Sequence, residues 1–107
     1  MVFRKIATKK EFKNDIKQII EYLIFDLGHK DAARTLLSEI YSLFERLQSF
    51  PELYPVIDND SKCLRNVRKA PLNIFNVYYE YDKKAEKITV LRIIHGKRET
   101  KSLLELL

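Results

Sequence analysis

The chain of 107 residues has little cysteine, histidine, glycine or proline, and it has no tryptophan. Its one cysteine, Cys63, excludes an internal disulfide, and one cysteine with two histidines excludes a cysteine-rich zinc site. With only Gly28 and Gly96, the sequence has no glycine-rich loop that could cradle the phosphates of a nucleotide. We therefore expect neither a metal ion nor a cofactor.

Long apolar runs are also missing. No stretch approaches the ~18 apolar residues of a membrane-spanning helix, and residues 1–10 contain no apolar segment of the kind found in signal peptides. A secreted domain of this size would usually contain disulfides, which one cysteine cannot form. The composition predicts a cytoplasmic protein without a membrane partner, and the length fits a single domain over residues 1–107.

Positive charge is concentrated in the C-terminal part of the sequence. Residues 1–61 contain 9 Lys or Arg and 10 Asp or Glu, a net charge of −1, whereas residues 62–107 contain 11 and 5, a net charge of +6. Such one-sided basic charge is typical of a protein that binds nucleic acid or an acidic protein partner. An ordinary solvated basic surface is the alternative.

The first half of the sequence predicts a strand followed by a helical hairpin. Residues 2–6 alternate as in a short strand, and Thr8-Lys9-Lys10-Glu11 then has the form of a capping box. Apolar residues next recur every three or four positions, which predicts one amphipathic helix that ends before Gly28 and a second that starts near Asp31. The second helix closes at Phe50-Pro51. Because the link between them is short, the two helices should pack antiparallel.

The second half predicts three strands. Residues 63–69 form the first, which Ala70-Pro71 interrupts, and residues 73–81 and 87–95 are rich in β-forming side chains. Residues 99–107 predict a short helix with an apolar face. The order β-α-α-β-β-β predicts an α+β fold, in which the helical hairpin packs on one face of a small antiparallel sheet.

The alternation within residues 73–81 assigns the two faces of that strand. One face carries Phe75, Val77, Tyr79 and Tyr81, and the other carries Ile74, Asn76, Tyr78 and Glu80. We expect the first face to pack on the helices because it is the more apolar of the two. Tyrosines here can stack on nucleic-acid bases, but alternate tyrosines on a central strand are usually part of the core.

Several segments together carry a resemblance to a known protein family. They are Ile19-Ile20-Glu21-Tyr22-Leu23 before Gly28, Phe50-Pro51-Glu52, Arg65, Val77-Tyr78-Tyr79-Glu80-Tyr81, and Ile93-Ile94-His95-Gly96-Lys97-Arg98-Glu99. In this order and spacing they resemble the RelE/ParE superfamily of toxins over nearly the whole chain. The long, near-equal helices and the His-Gly-x-Arg ending are closer to the ParE branch.

The resemblance implies the toxin of a bacterial or archaeal type II toxin–antitoxin module. A cognate antitoxin would cover the working surface of the toxin in a hetero-oligomer. Members of the ParE branch inhibit DNA gyrase by binding, whereas members of the RelE branch cut messenger RNA on the ribosome. We expect growth inhibition through a macromolecular target such as DNA gyrase. A ribosome-dependent mRNA endoribonuclease is the alternative, and a basic adaptor without toxicity is the third hypothesis.

The residues that the RelE branch uses for cleavage are only partly present. Cleavage without a metal needs a group that activates the 2′-hydroxyl, cations at the phosphate and an acid for the leaving oxygen. Arg65 and Arg98 match cationic positions of that branch. The other positions of the pattern fall on Val67, on Asn73 or Ile74, and on Leu104. If the protein is a nuclease, its candidate catalytic residues are Arg65, Arg98 and His95.

The candidate surface for a target or nucleic acid is basic. Its members are Arg65, Arg68, Lys69, Arg92, Lys97 and Arg98. Arg92 lies either in a partly buried ion pair or within this surface. His95, beside the Gly96 turn, either transfers protons or caps the turn by a hydrogen bond, and the second interpretation is favoured.

Overall fold

In the computed structural model, which describes residues 4–57 and 66–97, two helices pack on one face of a four-stranded sheet. The elements are β1 (Lys5–Thr8), α1 (Lys10–Glu21), a π-helical turn (Tyr22–Asp26), α2 (Lys30–Ser49), β2 (Val67–Leu72), β3 (Phe75–Asp82) and β4 (Lys87–His95). Their order confirms the predicted α+β fold. The sequence-based predictions for Cys63, Arg65, Arg98 and residues 99–107 lie outside the described residues.

The sheet has the strand order β1-β4-β3-β2. Both β2 and β4 pair antiparallel with β3, but β1 pairs parallel with β4. The sheet is therefore mixed, and the prediction of an antiparallel sheet is wrong for β1. The physical reason is that alternating side chains show which face a strand buries but not its direction, which depends on how the helical hairpin returns the chain to the sheet.

The core lies between the helices and the face of the sheet that they cover. Its buried side chains are Phe12, Leu36, Ile40, Leu43 and Leu47 from the helices, and Ala70, Leu72, Val77, Tyr79, Ile88, Val90 and Ile93 from the sheet. Val77 and Tyr79 are fully buried, and Phe75 and Tyr81 pack against the same cluster. This confirms the predicted faces of β3. Burial of each large apolar side chain stabilises the fold by about 1.5–3 kcal/mol.

Pairing in the sheet overrules local sequence signals at two places. Thr8 pairs with Val90 as the last residue of β1, so α1 begins at Lys10 without a side-chain cap, and the predicted capping box does not form. Pro71 does not interrupt a strand but lies within β2. Because β2 is an edge strand with β3 as its one ladder neighbour, a residue that lacks an N–H is tolerated there.

The helical hairpin turns through one π-helical turn and a glycine. The N–H of Leu27 donates to the carbonyl of Tyr22 at 3.1 Å, and the N–H of His29 donates to the carbonyl of Leu23 at 2.7 Å. Gly28 has a φ of +68°, which confirms its predicted role at the end of the first helix. The widened turn leaves the Phe25 side chain 79% exposed.

Arg4 ties the start of β1 to the end of α2. Its Nη1 donates to the carbonyls of Gln48 and Ser49 at 3.1 and 3.2 Å, and its Nε donates to the hydroxyl of Tyr81 at 3.1 Å. Gln48 Nε2 returns a bond to the Arg4 carbonyl at 3.1 Å. A cation at a helix C-terminus satisfies free carbonyls and complements the helix dipole.

Neither described helix has the length and apolar content needed to cross a bilayer.

Candidate macromolecular interface

The sheet has a second face, opposite the helices, which we call the outer face. Strand register places these residues on it: Lys5, Val67, Lys69, Asn76, Tyr78, Glu80, Lys87, Thr89, Leu91 and Ile94. The β3–β4 register shifts at Tyr78 and Tyr79, which leaves Leu91 as the extra residue of a β-bulge. The bulge turns the strand and sends Leu91 to the outer face beside Ile94.

The centre of the outer face is apolar. Val67, Tyr78, Leu91 and Ile94 form a buried cluster with exposed fractions of 0–5%, and Ile57 packs against it. Within this cluster the hydroxyl of Tyr78 is buried, and no hydrogen-bond partner is present for it among the described residues. A buried hydroxyl without a partner is costly and uncommon in folded proteins. The sequence alternation placed Tyr78 on this face but did not single out its hydroxyl.

Arg92 is held in a two-pronged ion pair with Asp15 of α1. Its Nε and Nη2 donate to the two carboxylate oxygens at 2.7 and 2.9 Å, and Asp15 also accepts from the N–H of Ile93 at 3.2 Å. The hydrogen bond to Asp15 raises the pKa of Arg92, although burial opposes this. Of the two interpretations of Arg92, the structure shows the partly buried ion pair.

Arg68 is also paired, at the edge of the face that the helices cover. It lies opposite Tyr79 in the register, and its Nη1 donates to the carbonyl of Tyr54 at 2.6 Å. Its Nη2 lies 3.7 Å from a carboxylate oxygen of Glu52, whose other oxygen lies 3.3 Å from Lys83 Nζ. Sequence reasoning missed Asp15 and Glu52 because each is far along the chain from the arginine that it binds.

Two of the predicted surface lysines remain available. Lys69 lies directly opposite Tyr78 on the outer face, and no ion pair to it occurs within residues 4–57 and 66–97. Lys97 is exposed in the turn after β4. The structure therefore separates the predicted basic surface, because Arg68 and Arg92 face internal carboxylates and the two lysines do not. Arg65 and Arg98 lie outside the described residues.

The turn after β4 is built from a histidine and a glycine. The Nδ1 of His95 accepts from the N–H of Lys97 at 3.1 Å, and its ring meets Phe75 edge-on with centroids 5.8 Å apart. This is the capping role that the sequence favoured. The N–H of Gly96 donates to the Ile74 carbonyl at 2.7 Å, and a Cβ at Gly96 would lie 3.0 Å from that oxygen. A side chain at position 96 would therefore require the Ile74 carbonyl to shift by a few tenths of an ångström.

The part of the chain that the structure describes contains no evident metal-binding site. No three His, Cys, Asp or Glu side chains converge there in a group able to hold an ion. On the outer face, Lys69 and Tyr78 occupy directly paired positions. A phenol hydroxyl and an ammonium can each donate a hydrogen bond to an acceptor.

The chain matches the model of a protein family described as "ParE toxin of type II toxin-antitoxin system, parDE" over residues 6–100. No curated protein sequence matches it significantly. Among solved structures, it is similar to a chain of the chromosomal ParDE system from Pseudomonas aeruginosa, with 15% identity, a TM-score of 0.68 and coverage of 89% of this chain and 98% of that one. A chain of the RelBE2 complex from Mycobacterium tuberculosis has 16% identity, a TM-score of 0.64 and coverage of 89% and 93%. A chain of the archaeal RelE–RelB complex from Pyrococcus horikoshii has 16% identity, a TM-score of 0.56 and coverage of 92% and 100%.

Proposed function

The chain belongs to the ParE toxin family of type II toxin–antitoxin systems, and from that premise we propose that it stops growth by binding a protein target, with DNA gyrase as the first candidate. It acts as a single domain over residues 1–107 in the cytoplasm, where such a target works. A cognate antitoxin binds it and prevents this contact. The ParDE and RelBE neighbours, which come from toxin–antitoxin systems, support an antitoxin partner.

The observation that supports a binding mechanism is that Arg68 and Arg92, the arginines on the described strands, are already paired with carboxylates of the same protein. RNA cleavage without a metal needs unpaired cations around the phosphate and a positioned acid and base. Arg92 is paired with Asp15, Arg68 shares Glu52 with Lys83, and the hydroxyl of Tyr78 is buried. The described outer face is thus apolar at its centre, and Lys69, which has no ion pair among the described residues, lies beside that centre. That chemistry suits contact with a polypeptide.

A supercoiling assay with purified gyrase tests the proposal. The purified chain should inhibit supercoiling in proportion to its concentration, and equimolar antitoxin should restore it. Lys17→Ala is the matched control. The Lys17 side chain is 76% exposed, and its ammonium makes one weak surface ion pair, 4.0 Å from Glu21. Undiminished supercoiling at every attainable toxin concentration would remove gyrase as the target.

The alternative is a ribosome-dependent mRNA endoribonuclease. The observation that favours it is the exposed end of the sheet, where His95 and Lys97 lie in one turn. Primer extension on translated messages would then show cuts inside codons, and His95→Ala and Arg98→Ala would each abolish them. Intact messages in arrested cells would exclude this alternative.

A further inference from the structure

Tyr78 differs from the other tyrosines on β3. Tyr79 donates from its hydroxyl to the Pro51 carbonyl at 2.8 Å, and Tyr81 accepts from Arg4 at 3.1 Å. Tyr78, between Val77 and Tyr79 in the same strand, is 1% exposed, and its hydroxyl has no partner in the described part of the chain. Phenylalanine at this position would leave no polar group unsatisfied, whereas a buried hydroxyl without a partner destabilises the folded protein. The hydroxyl is therefore explained by a state in which it does have a partner.

The groups beside Tyr78 indicate what that partner is. Lys69 lies directly opposite it on β2, and Arg92 lies opposite it on β4. Side chains in directly paired positions have Cβ atoms about 4.5–5.5 Å apart, so the Tyr78 and Lys69 side chains start as neighbours on the outer face. Arg92 is paired with Asp15, but Lys69 has no acidic partner among the described residues. Two neighbouring donors match a carboxylate, which accepts from both.

The surroundings favour a polypeptide over nucleic acid. Nucleic acid is bound through many unpaired cations along the phosphate backbone, and only Lys69 is unpaired next to Tyr78. Val67, Leu91 and Ile94 instead form a buried apolar cluster with Tyr78. Apolar contacts around one charge-assisted hydrogen bond are typical of the centre of a protein–protein interface.

We propose that Tyr78 and Lys69 form a carboxylate-binding site on the outer face, which takes an acidic segment of polypeptide flanked by apolar residues. The segment reaches the buried hydroxyl when the apolar side chains over it move apart. The inference rests on the proposed function in identifying this segment with part of the antitoxin. Tyr78 is then a binding residue whose hydroxyl destabilises the free protein and is satisfied in the complex.

The experiment uses a random-peptide display library selected on the immobilised full chain. Selected peptides should contain Asp or Glu between apolar residues, and their affinity should fall by about tenfold or more in Tyr78→Phe and in Lys69→Ala. Tyr81→Phe is the matched control, because it removes the same atom from the same strand on the opposite face. It should bind the peptides as the wild type does.

Urea unfolding of the same variants gives a second test, because Tyr78→Phe should lose peptide affinity without losing stability. Tyr78→Phe should unfold at the same or a higher urea concentration than the wild type, because it removes an unsatisfied group. Tyr81→Phe should unfold at a lower concentration, because Nε of Arg4 loses its acceptor. A lower midpoint for Tyr78→Phe would show that its hydroxyl already has a partner in the free protein, and would overturn the proposal.

Three binding results would also overturn it. They are unchanged peptide affinity in Tyr78→Phe, failure to select any peptide, and binding of single-stranded oligouridylate that depends on Tyr78. The selection needs only folded protein, so its result is independent of toxicity. If induction of the wild type does not stop growth, the proposed function fails while the peptide result stands. If growth stops but peptide affinity is unchanged in Tyr78→Phe, this inference alone fails.

Discussion

At the scale of single residues, burial and hydrogen bonding give adjacent tyrosines of β3 different roles. Tyr79 is fully buried, and its hydroxyl donates to the Pro51 carbonyl, which holds the segment after α2 against the sheet. Desolvation raises the pKa of Tyr79 to about 12 from a usual value of 10.0, although the positive charge of Arg68 opposes the shift. The hydroxyl therefore remains a donor over the whole physiological pH range.

This pKa predicts a loss of stability at alkaline pH. Because the folded-state pKa lies above the unfolded value of 10.0, the contribution of Tyr79 is fully present below about pH 10 and is lost as the pH rises towards 12. Urea unfolding at pH 8 and near pH 11 measures the effect in the wild type and in Tyr79→Phe. The variant should be less stable by about 1–3 kcal/mol at pH 8, and the difference should shrink at the higher pH. An equal difference at both values would contradict the assignment.

Glycine is favoured at position 96 because of a close backbone contact and not because of its φ angle. Its N–H bonds to the Ile74 carbonyl, in the turn where Asn73 has a φ of +60°. Sequence reasoning noted the glycine as part of a motif. It did not find the reason, because the close neighbour is 22 positions earlier in the chain and belongs to a different turn.

Gly96→Ala is therefore expected to destabilise the protein. The new Cβ would lie 3.0 Å from the Ile74 carbonyl oxygen, a backbone atom that cannot move aside without disturbing the β2–β3 turn. We expect a loss of about 1–3 kcal/mol, as for other overpacked sites, measured by urea unfolding. Lys97→Ala, which keeps the backbone bond to His95, is the control and should change stability little. Wild-type stability in Gly96→Ala would show that the two turns can separate freely.

At the scale of elements, α1 is fastened to β4 by the Asp15–Arg92 pair. β1 ends opposite Val90, so within residues 4–57 and 66–97 no strand pairs with the later part of β4 on that side. Asp15 occupies this edge, where it accepts both from Arg92 and from the N–H of Ile93. A carboxylate at an open strand edge satisfies the backbone and also opposes pairing with another chain. The pair thus stabilises the fold and protects the sheet edge.

Removal of this carboxylate should cost more than removal of a surface charge. The side chains of Arg92 and Asp15 are 18% and 13% exposed, so Asp15→Ala leaves a partly buried guanidinium without its partner. We expect a loss of about 2–4 kcal/mol in the free energy of unfolding. The control is Glu21→Ala, which breaks the 4.0 Å pair with Lys17 at the surface and should cost under about 0.5 kcal/mol. Equal effects of the two variants would rule out the fastening role.

The sequence predicts features that are set within one helix or strand, and it does not predict features that are set by contacts between elements. Apolar spacing predicted both helices, and alternation predicted which side of β3 faces them, because these patterns are local. The cap at Thr8 and the break at Pro71 failed because pairing with neighbouring strands decided both positions. The partners of Arg68 and Arg92 lie 16 and 77 positions away, so their pairing depends on tertiary structure that no local pattern encodes.

At the scale of the whole molecule, the sheet separates two kinds of chemistry. The helix-covered face forms the main core, and the outer face contains a second, buried apolar cluster with Lys69 beside it. Within residues 66–97 there are 7 Lys or Arg and 3 Asp or Glu, a net charge of +4, but two of these cations are the paired arginines. The described part of the protein therefore carries less free positive charge than its composition implies. This favours a toxin that binds a protein target.

Pulse labelling after induction tests that account most directly. The chain is induced without its antitoxin, and the rates of DNA and protein synthesis are followed together with the integrity of messenger RNA. We expect DNA synthesis to fall first, while messages stay intact and translation continues for a time. An early stop in protein synthesis, with messages cut inside codons, would contradict it and would assign the protein to RNA cleavage.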